Sequence, residues 1–284
     1  MKTKTLLLIV FSLALWLLSF EYSNAQGINS TRYVASSVIT QGSHEIKIFN
    51  NLYTQKASTR STFYTMLINY LYGSGSRINV GVDARIRAVA NGPASSSALS
   101  VFGSKDDDIV HRSGLTAIGP KIRWAPSSKW NNFSIQSSFL LPVGSDLSGN
   151  DEQPYIDWDT PTWTIQFVND FTLGNSFSLY AEVGFIWEEI GQESKGRTNQ
   201  TSVPVTSILS YFLTPDWVFY ALGNYAPFIQ QESDYFYQYG LGSKYRVRNN
   251  FEIEFLVTDF SRKILSDANG TASTYNMGIR YSIW

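Results

Sequence analysis

The chain has no cysteine and only two histidines among its 284 residues. Without cysteine there can be no disulfide bond, no thiolate metal site and no lipoprotein anchor after a leader. Charge is sparse and balanced, with a formal net charge of −1, so there is no basic field for nucleic acid. Beyond residue 18 no apolar run approaches the roughly 20 residues that a membrane-spanning helix needs. The sequence therefore excludes a helical membrane protein and predicts no nucleic-acid partner.

The most regular pattern lies between Arg77 and Ala88. Its even positions are all aliphatic, and its odd positions carry three arginines, one aspartate, an asparagine and a glycine. Successive side chains of a strand point to opposite faces, whereas a helix would spread the same charges around its whole surface. A strand that crosses a bilayer at a tilt needs about 9–11 residues, which this segment supplies. The pattern predicts a transmembrane barrel strand with lipid on one face and the barrel interior on the other.

Similar alternation returns repeatedly from Ser43 to the C-terminus, and twelve strands are predicted in this range, counting the one at Arg77–Ala88. It predicts an all-β fold, a single antiparallel transmembrane β-barrel of about 12 strands. The connections alternate between short turns and long loops, as the periplasmic and extracellular ends of outer-membrane barrels do. The long loops are Asn91–Arg112, Val143–Thr160 and Ile190–Ser202. The eighth and ninth predicted strands are apolar on both faces, so the sequence leaves open which of their residues point into the barrel.

The N-terminus has the features of a secretory leader. Lys2 and Lys4 precede the apolar run Leu6–Leu18, and Ser23-Asn24-Ala25 supplies the small residues of a cleavage site. We expect a signal peptide at 1–25, cleaved after Ala25, a periplasmic segment at 26–42 at or inside the barrel mouth, and the barrel at 43–284. An uncleaved anchor is the alternative, but about 13 apolar residues are too short to span a bilayer.

These features predict the outer membrane of a Gram-negative bacterium as the location of the protein. The expected partners are outer-membrane lipid, lipopolysaccharide and, through the alternating C-terminal segment Tyr281–Trp284, the barrel-assembly machinery. Tryptophans mark both membrane interfaces of such barrels. We expect Trp163 and Trp187 at the outer interface, and Trp124, Trp130 and Trp217 at the inner one.

Charged side chains on the inward-facing positions are the candidate functional residues. They could shape the field of a narrow pore, as rings of charge do in selective channels, or they could pair and fill the barrel as a solid core. A barrel of 12 strands lies between the filled and the open sizes, so strand number leaves both alternatives open. The lumen-lining candidates are Arg77, Asp83, Arg85, Arg87, Lys121, Arg123, Asp170, Glu182, Glu188, Lys244, Arg246, Glu252, Glu254 and Arg280.

Two local expectations follow from the same faces. Arg246 should pair with Glu252 or Glu254 across a three-residue turn, because the three share the inner face. An arginine in place of outward-facing Val82 should be costly, whereas an arginine at inward-facing Asn79 should be mild.

No constellation in the sequence indicates catalysis or a cofactor. Neither His44 nor His111 stands beside a recognisable nucleophile or orienting partner, so we expect no enzyme and no catalytic residue. Acidic residues of the long loops could hold calcium through oxygen ligands, but their spacing matches no EF-hand loop. We interpret them as solvated surface charge: Asp106, Asp107, Asp108, Asp146, Asp151, Glu152, Asp157 and Asp159.

Four short motifs add a resemblance. They are "NAQ" at the cleavage site, "GPKIRWAP" at Gly119–Pro126, "DWDTPTW" at Asp157–Trp163 and the closing "GIRYSIW". With them the chain resembles an uncharacterised group of outer-membrane β-barrels from Bacteroidota-type bacteria. More distantly it is similar to putative transporter barrels associated with phenol-degradation pathways. The resemblance implies a porin-like channel or transporter for small solutes. The alternative is a closed structural barrel whose extracellular loops bind a surface partner.

Overall fold

The structure is a computed structural model that describes residues 36–103, 106–127, 129–130, 132–144, 146–150, 153–188, 190, 200–229, 235–260 and 270–284. The expected signal peptide and most of the expected N-terminal segment lie outside these ranges. Within them, no helix has the length and apolar character to cross a membrane.

A closed antiparallel barrel of twelve strands forms the body of the molecule, as the sequence predicts. The segments are β1 (His44–Lys56), β2 (Thr59–Gly73), β3 (Ile78–Pro93), β4 (Val110–Trp124), β5 (Phe133–Pro142), β6 (Thr162–Leu173), β7 (Phe177–Glu188), β8 (Gln200–Ser202), β9 (Val205–Phe212), β10 (Trp217–Pro227), β11 (Tyr235–Arg248), β12 (Phe251–Phe260) and β13 (Thr271–Ile283). The first and last strands, β1 and β13, pair and close the ring. β8 and β9 both pair with β7 and form one strand of the barrel.

The two ends of the barrel differ in their connections, as expected. We call the end where β1 begins the short-turn end and the opposite end the long-loop end. In outer-membrane barrels these correspond to the periplasmic and the extracellular side. Trp163 and Trp187 stack at 5.0 Å near the long-loop end. Trp124 and Trp217 are exposed on the outer surface at the short-turn end.

The alternation of β3 is confirmed. Val80 and Val82 are exposed on the outer surface, whereas Asn79, next to Val80 in the strand, is fully buried inside. This placement follows from the pleat, since lipid takes the aliphatic face and the interior takes the polar one.

Pro204 interrupts the eighth strand of the barrel. Proline has no N–H for the ladder, so the strand breaks between β8 and β9. Leu209 and Tyr211 point outward and are exposed. Ile208 and Phe212 therefore occupy the inward face, opposite inward-facing residues of β10.

Residues 36–42 lie inside the short-turn end, where we call them the strap. Gly42 donates its N–H to the carbonyl of Gly73 at 2.8 Å, which ties the strap to β2. The strap then crosses the inner wall from β3 to β6, and its residues Ser36 and Ile39 are buried. The described part of the N-terminal segment is thus tucked into the barrel.

The connection between β5 and β6 also folds inward, at the long-loop end. We call its described part (143–144, 146–150 and 153–161) the inner loop. Leu147 and Ile156 are buried against inward-facing Val89, with Phe63 beside them. Arg112 of β4 donates to the carbonyl oxygens of Asp146 at 2.8 Å and Pro154 at 3.3 Å.

The connection between β3 and β4 takes the opposite course and packs on the outer surface. Its short 3₁₀ helix η1 (Ala98–Phe102) buries Val101 against Ala88 and Ala90 of β3. His111 bonds the carbonyl oxygen of Val101 at 2.7 Å and helps to hold the helix there.

Candidate functional site

The barrel interior is the candidate site, because it gathers the charged residues of the sequence. Most of the predicted lining residues lie on inward positions of the strands. Arg77 is the exception, since it precedes β3 at the short-turn end, where its side chain is exposed. Its Nη1 donates to the carbonyl of Pro126 at 3.5 Å.

Asp83 and Lys121 form a cluster on β3 and β4. Nζ of Lys121 lies 3.2 Å from Oδ1 of Asp83, and both side chains are largely buried. Ser138 donates to Oδ2 of Asp83 at 2.5 Å, and the amide of Asn69 donates to Oδ1. Three neighbours therefore satisfy one carboxylate, which fixes it against the wall.

Arg85 and Arg87, farther along β3, meet the inner loop. Nε of Arg85 lies 2.8 Å from Oδ2 of Asp157, and Nη1 of Arg87 donates to Oδ1 at 3.0 Å. Asp157 is completely buried. Burial also raises the pKa of Tyr155, which hydrogen-bonds Arg87, to about 12. One loop carboxylate thus bridges two arginines of the wall.

A bulge in β4 lies next to these arginines. The register between β3 and β4 shifts between Arg85 and Ile86, so Thr116 is the extra residue. Its hydroxyl donates to the carbonyl oxygen of Arg85 at 3.1 Å. Bulges re-aim side chains and often accompany functional sites.

A row of hydrogen-bonded polar side chains crosses the four neighbouring strands β4 to β7, on the short-turn side of the inner loop. Arg123 donates to Gln136 at 2.9 Å, Gln136 donates to Gln166 at 2.7 Å, and Gln166 donates to Glu182 at 2.8 Å. Tyr180 donates to the second oxygen of Glu182 at 2.5 Å. Every member has a partner, so the row forms a connected network.

The opposite wall carries further ion pairs. Arg280 lies 2.9 Å from Glu252 and 3.7 Å from the buried Glu45. Lys244 lies 3.5 Å from Glu254, whose other oxygen accepts a hydrogen bond from Tyr220. These pairs join residues on adjacent strands, as expected for inward positions.

The predicted pairing of Arg246 with Glu252 or Glu254 is wrong. Arg246 does lie opposite Glu252 in the ladder, but its Nη1 is 3.9 Å from Asp216 of the neighbouring turn. Glu252 binds Arg280 instead. The β11–β12 turn also differs, because Arg248 pairs with Phe251 and the register shifts at Val247.

The strap binds two further predicted residues. The N–H of Ser36 donates to Oδ2 of Asp170 at 2.8 Å, and Arg123 donates to the carbonyl of Ser37 at 3.0 Å. Glu188, the last of the predicted set, ends β7 near Arg85.

The sequence interpretation missed several site residues. The sequence predicts solvated surface charge at Asp157, and this prediction is wrong: the inner loop brings Asp157 to Arg85 and Arg87, where it is buried. The sequence predicts Arg112 at the end of a long loop, but β4 begins at Val110 and puts Arg112 on the inner face opposite Val89. The "DWDTPTW" motif marks Asp157 in the sequence. It does not indicate that Asp157 contacts Arg85 and Arg87.

The two histidines lie on the outer side of the wall. His44 bonds the hydroxyl of Tyr70 at 2.7 Å, and His111 holds η1. In the part of the chain that the structure describes, no group of acidic and histidine side chains is arranged to hold a metal ion.

Leu67 shows that the middle of the barrel is not filled. It lies on the inner face, opposite Phe49 and Arg85, yet 42% of its surface is exposed. Exposure of a large inward-facing side chain requires open space beside it. The interior is therefore open at the level of Leu67, between the strap and the inner loop.

Comparison with known proteins gives the fold a wider setting. No protein-family model and no curated sequence matches the chain. An outer membrane channel from Pseudomonas putida F1 is similar in structure, with a TM-score of 0.55 at 10% identity over 89% of this chain and 99% of that one. The NanC porin is similar with a TM-score of 0.51 at 7% identity, over 83% and 98%. The chain thus has the barrel fold found in outer-membrane channels.

Proposed function

We propose that the protein is a passive channel or transporter for small solutes in the outer membrane of a Gram-negative bacterium of the Bacteroidota type. The observation that carries the proposal is the open interior beside Leu67. A solid core would bury that side chain. The shared fold with the Pseudomonas putida channel supports the same function.

The route to the membrane completes the proposal. A signal peptide cleaved after Ala25 exports the chain, and the barrel-assembly machinery inserts it through the C-terminal strand β13. Lipid and lipopolysaccharide then contact the exposed aliphatic belt and the two tryptophan girdles. No cofactor and no chemical step belong to this function.

The lining charges would act through local fields. Most lie in ion pairs, so the interior carries no large field of one sign. Arg85, Arg87, Lys121 and Arg123 lie on the two neighbouring strands β3 and β4, where they bias that side of the interior toward anions.

Planar-bilayer conductance of the refolded protein from residue 26 onward tests the proposal. We expect steady conductance, and we expect its ion preference in a salt gradient to move toward cations in R85A/R87A. Heat-modifiable gel mobility shows that each sample is folded. Silence from folded barrels would contradict the channel.

A closed structural barrel with a surface partner is the second candidate. The observation that favours it is the presence of chain at both ends of the interior, the strap at one and the inner loop at the other. Silent but folded barrels in the same experiment would favour this function.

A further inference from the structure

Asp157 and its two arginines differ sharply in accessibility. The carboxylate has no exposed surface, whereas the side chains of Arg85 and Arg87 are 15% and 24% exposed. The arginine side chains therefore keep exposed surface that the loop carboxylate does not cover.

The free surface of the arginines borders the open interior. Arg85 lies opposite Leu67, the exposed inward side chain, and Arg87 lies opposite Thr65, to whose hydroxyl it donates at 3.2 Å. A solute in the open space beside Leu67 would therefore lie next to both arginine side chains.

We propose that Arg85 and Arg87 form a binding site for the carboxylate of a small anionic solute, and that Asp157 occupies this site while no solute is bound. The proposal rests on the proposed channel function and names its solute class. Guanidinium groups suit carboxylates because their N–H groups match the two oxygens. Asp157 already places one oxygen against each arginine: Oδ1 accepts from Nη1 of Arg87, and Oδ2 forms an ion pair with Nε of Arg85.

Charge balance favours a single negative group. Arg85 and Arg87 face Asp157, and Glu188 lies close enough to interact electrostatically with Arg85. Tyr155 also faces Arg87 and adds no charge, because a tyrosine is neutral at physiological pH and burial raises the pKa of Tyr155 further, to about 12. A monocarboxylate that replaces Asp157 keeps the balance of two positive and two negative groups, whereas a polyanion does not.

Displacement of Asp157 would loosen only part of the inner loop. Arg112 holds the backbone at Asp146 and Pro154 independently, and Ile156 packs on Val89. The solute would thus compete with one anchor and shift the loop toward an open arrangement by its preference for that state.

Binding to the detergent-folded barrel, measured by calorimetry, tests the site apart from transport. The probe is sodium gluconate, with sorbitol as a neutral solute of similar size. A site that its own chain occupies most of the time shows an apparent affinity lowered by that occupancy. We expect gluconate to bind D157N at least about tenfold more tightly than wild type. It should not bind R85Q/R87Q, and sorbitol should bind none of them.

The charge-matched control is D107N, in the exposed turn of the other loop, which should bind as wild type does. Equal gluconate affinity in wild type and R85Q/R87Q would overturn the site. Equal affinity in folded D157N and wild type would overturn the role of Asp157. If D157N does not fold, the comparison of wild type with R85Q/R87Q still decides whether the arginines bind gluconate.

Liposome swelling separates this proposal from the channel function. We expect gluconate to enter D157N vesicles severalfold faster than sorbitol, with no such preference in R85Q/R87Q. Equal acceleration of both solutes by D157N would make Asp157 a simple latch and overturn solute competition. Binding without any swelling would contradict the channel function and leave the site standing.

Discussion

Asn79 offers the sharpest test of the strap. Its Oδ1 accepts from the N–H of Ile39 at 2.9 Å, and its Nδ2 donates to the carbonyl of the same residue at 3.0 Å. One side chain thus satisfies both backbone groups of a buried strap residue. The variant N79A removes both bonds while the barrel ladders remain.

The two hydrogen bonds of Asn79 give the free energy that holds the strap in place. Each neutral hydrogen bond contributes about 0.5–1.5 kcal/mol, so together they stabilise the docked strap by about 1–3 kcal/mol. That free energy corresponds to about a 5- to 150-fold change in the detached population. Since the chain lacks cysteine, I39C provides a single reporter thiol at a buried position. We expect maleimide to label I39C/N79A faster than I39C by that factor.

The control variant removes another asparagine side chain, on the outer face of the barrel. Asn50 points outward and donates to the carbonyl of Met277 at 3.1 Å, away from the strap. I39C/N50A should label at the rate of I39C. If N79A leaves the labelling rate unchanged, Asn79 does not hold the strap and our reasoning is refuted.

Three further predictions test the faces of the wall. V82R places a charge in lipid near the middle of β3, so it should lower the free energy of unfolding in vesicles by about 2–4 kcal/mol. An unchanged urea midpoint would contradict the outward placement of Val82. Arg280 and Glu252, 2.9 Å apart, should show coupling of about 0.5–3 kcal/mol in a double-mutant cycle of glutamine variants, and strict additivity rejects the pair. A spin label at L99C should collide more often with oxygen than with a water-soluble nickel complex, since Leu99 is 63% exposed on the outer helix η1. The reverse order of collision rates would place Leu99 in water.

The fold could be predicted from sequence because lipid constrains every second residue of a strand. That constraint is local and repeats, so β3 could be recognised from its own residues. Its end could not: the strand continues past Ala88 to Pro93, where the outer face meets η1 rather than lipid alone. The sequence also does not show which residues of β9 point into the barrel, because Ile208 and Phe212 make its inner face as apolar as its outer one.

The candidate site depends on contacts between distant parts of the chain, which periodicity cannot supply. The sequence places Asn79 correctly on the inner face, but it does not show that the strap occupies the space beside it, where an arginine side chain would have to fit. Arg246 and Glu252 face each other, yet each has a partner outside the hairpin. The face of a residue follows from its neighbours in sequence, whereas its partner follows from the closed barrel.

The strap and the inner loop lie at opposite ends of one interior, so their effects on conductance should combine in a particular way. Two constrictions in series add their resistances, and opening one leaves the other limiting. N79A or D157N alone should therefore raise the conductance of the refolded barrel only modestly. N79A/D157N should raise it by more than the sum of the two increments, whereas N79A/D107N should match N79A. Simple addition of the increments would mean that solutes pass the two segments by separate paths, and a zero increment from one variant in both backgrounds would remove that segment from the path.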